Sequence, residues 1–223
     1  MQQHHLAKRS LIESQGGDIS FLTNYLVELE TIQPGWSSEF MLRSDNTLSR
    51  FFWMSPYQKE TARSFGGVII IDVSEGRNMY NMYLTTMIVV DGENRSKSVA
   101  YCLSSSQDTD MFTWLLKSYS IALYGSNNIA PIECLFSDRA VSIANACRTV
   151  WPHVFHGVCL WHLAQNIIRN LGSRLGDNFN LFMDHFWHVY GMGSPATFKI
   201  AWQKLLQNWP KAIRYLEDHI APD

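Results

Sequence analysis

The stretch Ser137 to Asn166, SDRAVSIANACRTVWPHVFHGVCLWHLAQN, constrains this chain more than any other. Before it, Pro131 to Ser137 predicts a buried strand, apolar at Ile132, Cys134, Leu135 and Phe136, with Asp138 where the strand stops. Ala140, Ile143, Ala144, Cys147, Val150 and Trp151 then recur at helical spacing, and Pro152 closes that helix. Val154 to Cys159 predicts a second short strand. Leu160 opens another helix, striped by Leu160, Leu163, Ala164, Ile167, Ile168 and Leu171. A carboxylate at the C-terminal edge of a parallel strand is where open α/β sheets place their chemistry, so Asp138 is the first candidate site residue.

The chain upstream supplies strands. Gly16-Gly17-Asp18 predicts the start of a helix carrying Ile19, Leu22, Leu26 and Leu29, which Pro34-Gly35 closes. Glu39 to Arg43 and Leu48 to Trp53 read as a β-hairpin around Ser44-Asp45-Asn46, and residues 55–65 as a helix ending at Gly66-Gly67. Val68 to Val73 is a β-branched run, the pattern of a strand buried on both faces, and it ends on Asp72, a carboxylate with no apolar reason to be there. Tyr83 to Val90 and Lys97 to Leu103 follow, linked by Asp91-Gly92-Glu93-Asn94; links this short imply an antiparallel meander. A helix capped near Asp108 buries Phe112, Leu115, Leu116, Tyr119 and Leu123. Three meandering strands followed by strand, helix, strand, helix is the order of the ribonuclease H fold.

After Gly172 no further strand is expected. Asp177 predicts the cap of a helix bearing Phe179, Phe182, Met183, Phe186 and Tyr190. Ser194-Pro195 starts another, with Phe198, Ala201, Trp202, Leu205, Leu206 and Trp209 on one side, and Lys211 to Ile220 makes a third. The expected organisation is a lead-in over residues 1–66, a ribonuclease H-like mixed α/β core over 67–172, and an all-helical subdomain over 173–223.

Composition excludes several classes. A net charge of −2 advertises no broad basic surface, so contact with nucleic acid would have to be local. Hydrophobic residues at 46% argue against disorder. The best apolar run, Val68 to Ile71, is only strand length, so no membrane partner is expected. The N-terminus has no apolar core of a signal peptide, and four singly placed cysteines (Cys102, Cys134, Cys147, Cys159) suggest reduced thiols in an intracellular protein.

Two groups of residues carry metal-ligand chemistry. Asp72 and Asp138 offer the hard oxygens that Mg²⁺ prefers, and two such ions can activate the attacking oxygen and stabilise the leaving one in phosphoryl transfer. Strand-end aspartates also cap helices, and on spacing alone that plainer role is the stronger one. His156, Cys159 and His162 form His-x-x-Cys-x-x-His, with donors suited to Zn²⁺. A structural zinc site needs four ligands, and His153 is a poor fourth. The plainer alternative has Cys159 packing as a small apolar residue and His162 on a polar face with Asn166 and Arg169. The aromatics of the tail could stack on bases, but their helical spacing fits core packing better.

The sequence resembles the transposase domain of Mutator-like elements, including its far-red-impaired-response branch in plants. The residues that carry this are Phe52-Trp53, Val68 to Asp72, Tyr80-Asn81-Met82, and above all Ser137-Asp138, Asn145-Ala146, Pro152, His156, Cys159, Trp161-His162 and Asn166. The likeness extends from about residue 18 to the end of the chain. It implies a ribonuclease H-like fold with a helical insertion, and an Asp-Asp-Glu site that uses Mg²⁺ or Mn²⁺ to cut DNA and join its strands. Asp72 and Asp138 match the first two acids. It further implies a nuclear protein whose partner is DNA, with self-association as a second mode. Two departures stand out. Val73-Ser74-Glu75 replace the family's usual Thr-Thr-Tyr, and neither Glu217 nor Asp223 has the context of the third acid. The expectation is therefore a fragment or decayed copy of a DDE transposase, inactive by itself, with a domesticated, non-catalytic regulator of transcription or partner-binding protein as the alternative.

Overall fold

The computed structural model describes residues 31–45, 47–75, 80–125 and 131–220, together with Phe21, Asn24, Tyr25, Glu28 and Leu29. The expected helix start at Gly16-Gly17-Asp18, with Ile19, Leu22 and Leu26, lies outside the described residues; Leu29, the last of its stripe, is helical. Chain contacts divide the protein into two compact units, Met1–Cys159 and Leu160–Asp223.

The first unit is built on a seven-stranded mixed sheet. Its strands are β1 (Ser37–Leu42), β2 (Leu48–Met54), β3 (Val68–Ser74), β4 (Tyr83–Val90), β5 (Ser96–Ser104), β6 (Cys134–Ser137) and β7 (Phe155–Val158), in the spatial order β1-β2-β5-β4-β3-β6-β7. The pairs from β1 through β5 to β3 are antiparallel, as short links require; β3–β6 and β6–β7 are parallel. The lead-in hairpin is thus part of the same sheet, through β2 against β5.

Three helices cross over between the strands: α1 (Pro56–Phe65), α2 (Thr109–Tyr124) and α3 (Val141–Val150). Local chemistry sets their starts. Ser55 and Gln58 form a reciprocal capping box ahead of Pro56, and the Asp108 carboxylate accepts the Met111 N–H at 2.8 Å. The buried faces of all three join one core with Phe52, Met54, Ile69, Ile71, Met87, Leu135 and Ile143.

This one-sided packing corrects the expectation for Val68–Val73. Ile69 and Ile71 are buried, whereas Val68 is exposed and Ile70 half-buried. The strand therefore alternates, because the helices of this unit pack on the face that carries Ile69, Ile71 and Leu135. Residue 132 is buried as expected, but β6 begins only at Cys134. Just before it, the N–H groups of Glu133 and Cys134 both turn to the Gly67 carbonyl, at 2.8 and 3.0 Å.

The second unit is helical: α4 (Leu160–Leu175), a 3-10 turn (Gly176–Asn178), α5 (Phe179–Tyr190), α6 (Pro195–Asn208) and α7 (Ile213–His219). Helix α4 runs through Gly172, the residue after which no further strand was expected. A Cβ there would meet nothing within 4 Å, so this glycine answers no steric need; Gly176, at φ +54°, is the left-handed residue that stops the helix. Asp177 lies within the 3-10 turn and does not cap α5, whose N-cap position is Asn178 with no side-chain bond. The aromatics are core. Phe182, Phe186 and Trp202 are buried, and Phe182 meets the Trp209 ring edge-on at 5.4 Å. Trp209 Nε1 donates to His185 Nδ1 at 3.1 Å.

Candidate metal and strand-end site

The site begins with strand parity. In the parallel pair β3–β6, Ile69 stands beside Leu135 and Ile70 beside Phe136. Carried two residues further, that register sets Asp72 beside Asp138, at the C-terminal ends of neighbouring strands. Side chains alternate along a strand, so both carboxylates fall on the face of Ile70 and Phe136, opposite the helices. Both residues are half-buried. Neighbouring strands lie about 4.8 Å apart, within the reach of two short carboxylates sharing one divalent ion.

Asp138 is held by its backbone as well as by the sheet. Its Oδ1 accepts the Ala140 N–H at 3.1 Å, a tight turn that leads into α3, whose own N-cap position, Ala140, has no side-chain bond. The plain role of a strand-end aspartate is therefore present here, and it fixes one carboxylate oxygen. On the other side, β6 pairs with β7 through Ser137 and Val158, and the Cys159 N–H reaches the Ser137 carbonyl at 2.6 Å. By the same register Cys159 follows on the face of Asp138. His156, paired with Leu135, lies on the opposite, core face.

That placement puts His156 and Cys159 on opposite faces of the sheet. His156 is engaged on the core face, where its Nε2 is 2.9 Å from Ser137 Oγ. Burial holds its pKa below the usual histidine value, Arg148 pushes it the same way, and Asp138 opposes them. His162 belongs to α4 of the helical unit, where its ring packs edge-on against Trp161 at 5.0 Å. Among the described residues no group of three or more His, Cys, Asp or Glu side chains is placed to hold a metal ion.

Sequence reasoning named Ser137 beside Asp138 but gave it no role. It is fully buried and polar, and its hydroxyl donates to the Asp138 carbonyl at 2.7 Å. The available signal was a hydroxyl residue at an inward strand position immediately before the candidate acid. Gly157 was missed: a Cβ there would stand 2.6 Å from the Phe136 ring, two residues before Asp138. No helix among the described residues is long and apolar enough to cross a membrane.

Residues 68–166, from β3 through the Asp138 turn and β7 into α4, match the MULE transposase domain family. Along most of its length the chain is also similar to three proteins of Arabidopsis thaliana. It is 23% identical to Protein FAR1-RELATED SEQUENCE 4 over 93% of this chain and 28% of that protein. It is 23% identical to Protein FAR1-RELATED SEQUENCE 2 over 85% of this chain and 23% of that one. For Protein FAR1-RELATED SEQUENCE 5 the identity is 20%, over 91% and 25%. The chain spans less than a third of the length of each of these relatives. Residues 68–166 are thus similar to the MULE transposase domain, within a longer stretch similar to the FAR1-related sequences.

Proposed function

We propose that this domain is the core of a ribonuclease H-like, transposase-type nuclease in which Asp72 and Asp138 hold a divalent cation. The observation that carries the reading is the parallel pairing of β3 with β6, whose register, continued by two residues, brings these two aspartates level. The strand order, with β3 between β4 and β6, supports the ribonuclease H-like assignment, and the MULE match supports DNA as the polymer acted upon. The donor set fits Mg²⁺ or Mn²⁺: two oxygen ligands, half-buried, one of them already oriented by a backbone N–H. Such an ion, when bound, supplies charge stabilisation for the oxygens of a phosphodiester. The chain's own part is to hold the two carboxylates at neighbouring strand ends.

A second reading rests on a specific observation. Among the described residues no third acid joins the pair, and the named relatives are FAR1-related sequences. In this reading the same fold is a domesticated, non-catalytic module that binds partners or DNA in the nucleus. Titration of Mn²⁺ into the 223-residue protein, followed by electron paramagnetic resonance, separates the two. Saturable binding, lost in both Asp72→Asn and Asp138→Asn, is the result expected for the nuclease core. Binding that survives both substitutions, or none in the parent chain, would favour the non-catalytic module.

A further inference from the structure

We infer that His156 is a positioning residue for Asp138, acting through the buried hydroxyl of Ser137. The inference rests on the Asp72–Asp138 reading for its purpose, but its geometry is independent of any metal. Ser137 Oγ has one proton, and it is directed to the Asp138 carbonyl at 2.7 Å. At its 2.9 Å contact with His156, the same oxygen must therefore accept, so His156 Nε2 carries the hydrogen. The relay runs from imidazole N–H to hydroxyl to the Asp138 carbonyl. The Cys159 N–H, 2.6 Å from the Ser137 carbonyl, holds the neighbouring peptide. With the Ala140 N–H on Oδ1, both carbonyls flanking the Asp138 Cα and one carboxylate oxygen are bound.

The arrangement is costly to disturb because Ser137 is wholly shielded from solvent. Water has no access to replace a lost donor, so removal of the imidazole leaves the buried hydroxyl short of a partner. The hydroxyl then reorients, and the Asp138 turn loosens. Burial and Arg148 both lower the His156 pKa, and Asp138 opposes them. A residue that orients a ligand from behind typically changes metal affinity by about 10–100-fold when removed.

The test uses the 223-residue chain with His156→Leu, His156→Gln, Ser137→Ala and the double variant of Ser137→Ala with His156→Leu. A glutamine amide can place a donor near the position of Nε2; leucine cannot. The first readout is amide hydrogen exchange. His156→Leu is expected to speed exchange at Ala140 and Cys159 by about tenfold while leaving Ile69 and Ile71 unchanged, and His156→Gln to restore it. Ser137→Ala, which keeps the fold if leucine at 156 does not, should show the same local change, with no addition in the double variant. The second readout is Mn²⁺ affinity, expected to fall about tenfold in His156→Leu and to recover in His156→Gln. Unchanged exchange at Ala140, a uniform rise across the sheet, or failure of glutamine to restore protection would overturn the inference. Absence of Mn²⁺ binding in the parent chain would instead remove the metal reading, leaving the exchange result to decide the role of His156.

Discussion

Two strand-end aspartates of the same sheet are used in opposite ways. Asp91, between β4 and β5, is closed on itself: it accepts the N–H groups of Glu93 and Arg95, each at 2.9 Å, and the Arg95 Nε at 3.2 Å. Lys97 stands 3.7 Å away. These donors, the Arg95 N–H foremost, hold its carboxyl below the usual aspartate value. Asp138 accepts one N–H, and among the described residues no lysine or arginine is paired with it. The β3–β6 register, continued by two residues, brings Asp72 level with it. A turn aspartate that gathers every nearby donor is finished as a structural device. One that retains an oxygen beside a second acid keeps capacity for a cation.

The sharpest break of this contrast is a pair of matched substitutions. Asp138→Asn should lower Mn²⁺ affinity by about a hundredfold with little change in melting temperature, since the Ala140 N–H still finds an oxygen acceptor. Asp91→Asn should leave affinity unchanged and destabilise the hairpin instead. Calorimetric titration and thermal melts of the two variants measure both effects. Equal loss of affinity in both would mean that the metal responds to overall charge and not to a site.

Next in size is Gly157→Ala. A Cβ at that position falls 2.6 Å from the Phe136 ring, so the ring must shift, at a cost of about 1–3 kcal/mol in a packed setting. Phe136 also meets Phe155 edge-on, so the disturbance stays in the parallel half of the sheet that carries Asp138. The melting temperature should fall, while amide exchange in the Asp91 hairpin stays as in the parent. A smaller loss, about 1 kcal/mol, is expected for Asp108→Ala, which removes the cap of α2 without touching either strand-end aspartate. Its Mn²⁺ affinity should match the parent's.

What was legible in the sequence follows the range of each interaction. The strands and crossover helices declared themselves through period and turns, and Asp72 and Asp138 stood out because a carboxylate closing an apolar run is conspicuous. The burial of β3 was overstated because a run of β-branched residues does not reveal whether helices cover one face or two. The start of α5 was misplaced at Asp177 because nothing in the letters shows that Gly176 takes a positive φ and that a 3-10 turn follows it. The Ser137–His156 contact was not legible at all. It joins residues 19 apart in sequence through the pairing of β6 with β7, and a short strand of four residues leaves its register open.

The smallest effects are those of pH, and they separate the two turns by window. The Asp91 carboxyl is depressed in the folded protein, so its contribution is present above the unfolded value of 3.8 and is lost as pH falls through the lower folded value. The His156 imidazole is also depressed, but for a base the sign of charge differs. Near and below 6.5 the unfolded chain takes up a proton that the folded one resists, so stability drops there and levels off below the folded pKa. Above 6.5 His156 contributes no pH dependence. Stability measured by urea denaturation from pH 8 to pH 3 should therefore decline in two stages. His156→Gln is expected to flatten the upper stage alone and Asp91→Asn the lower stage alone. If His156→Gln left the decline below 6.5 intact, the lowered pKa of His156 would not be the source of the upper stage.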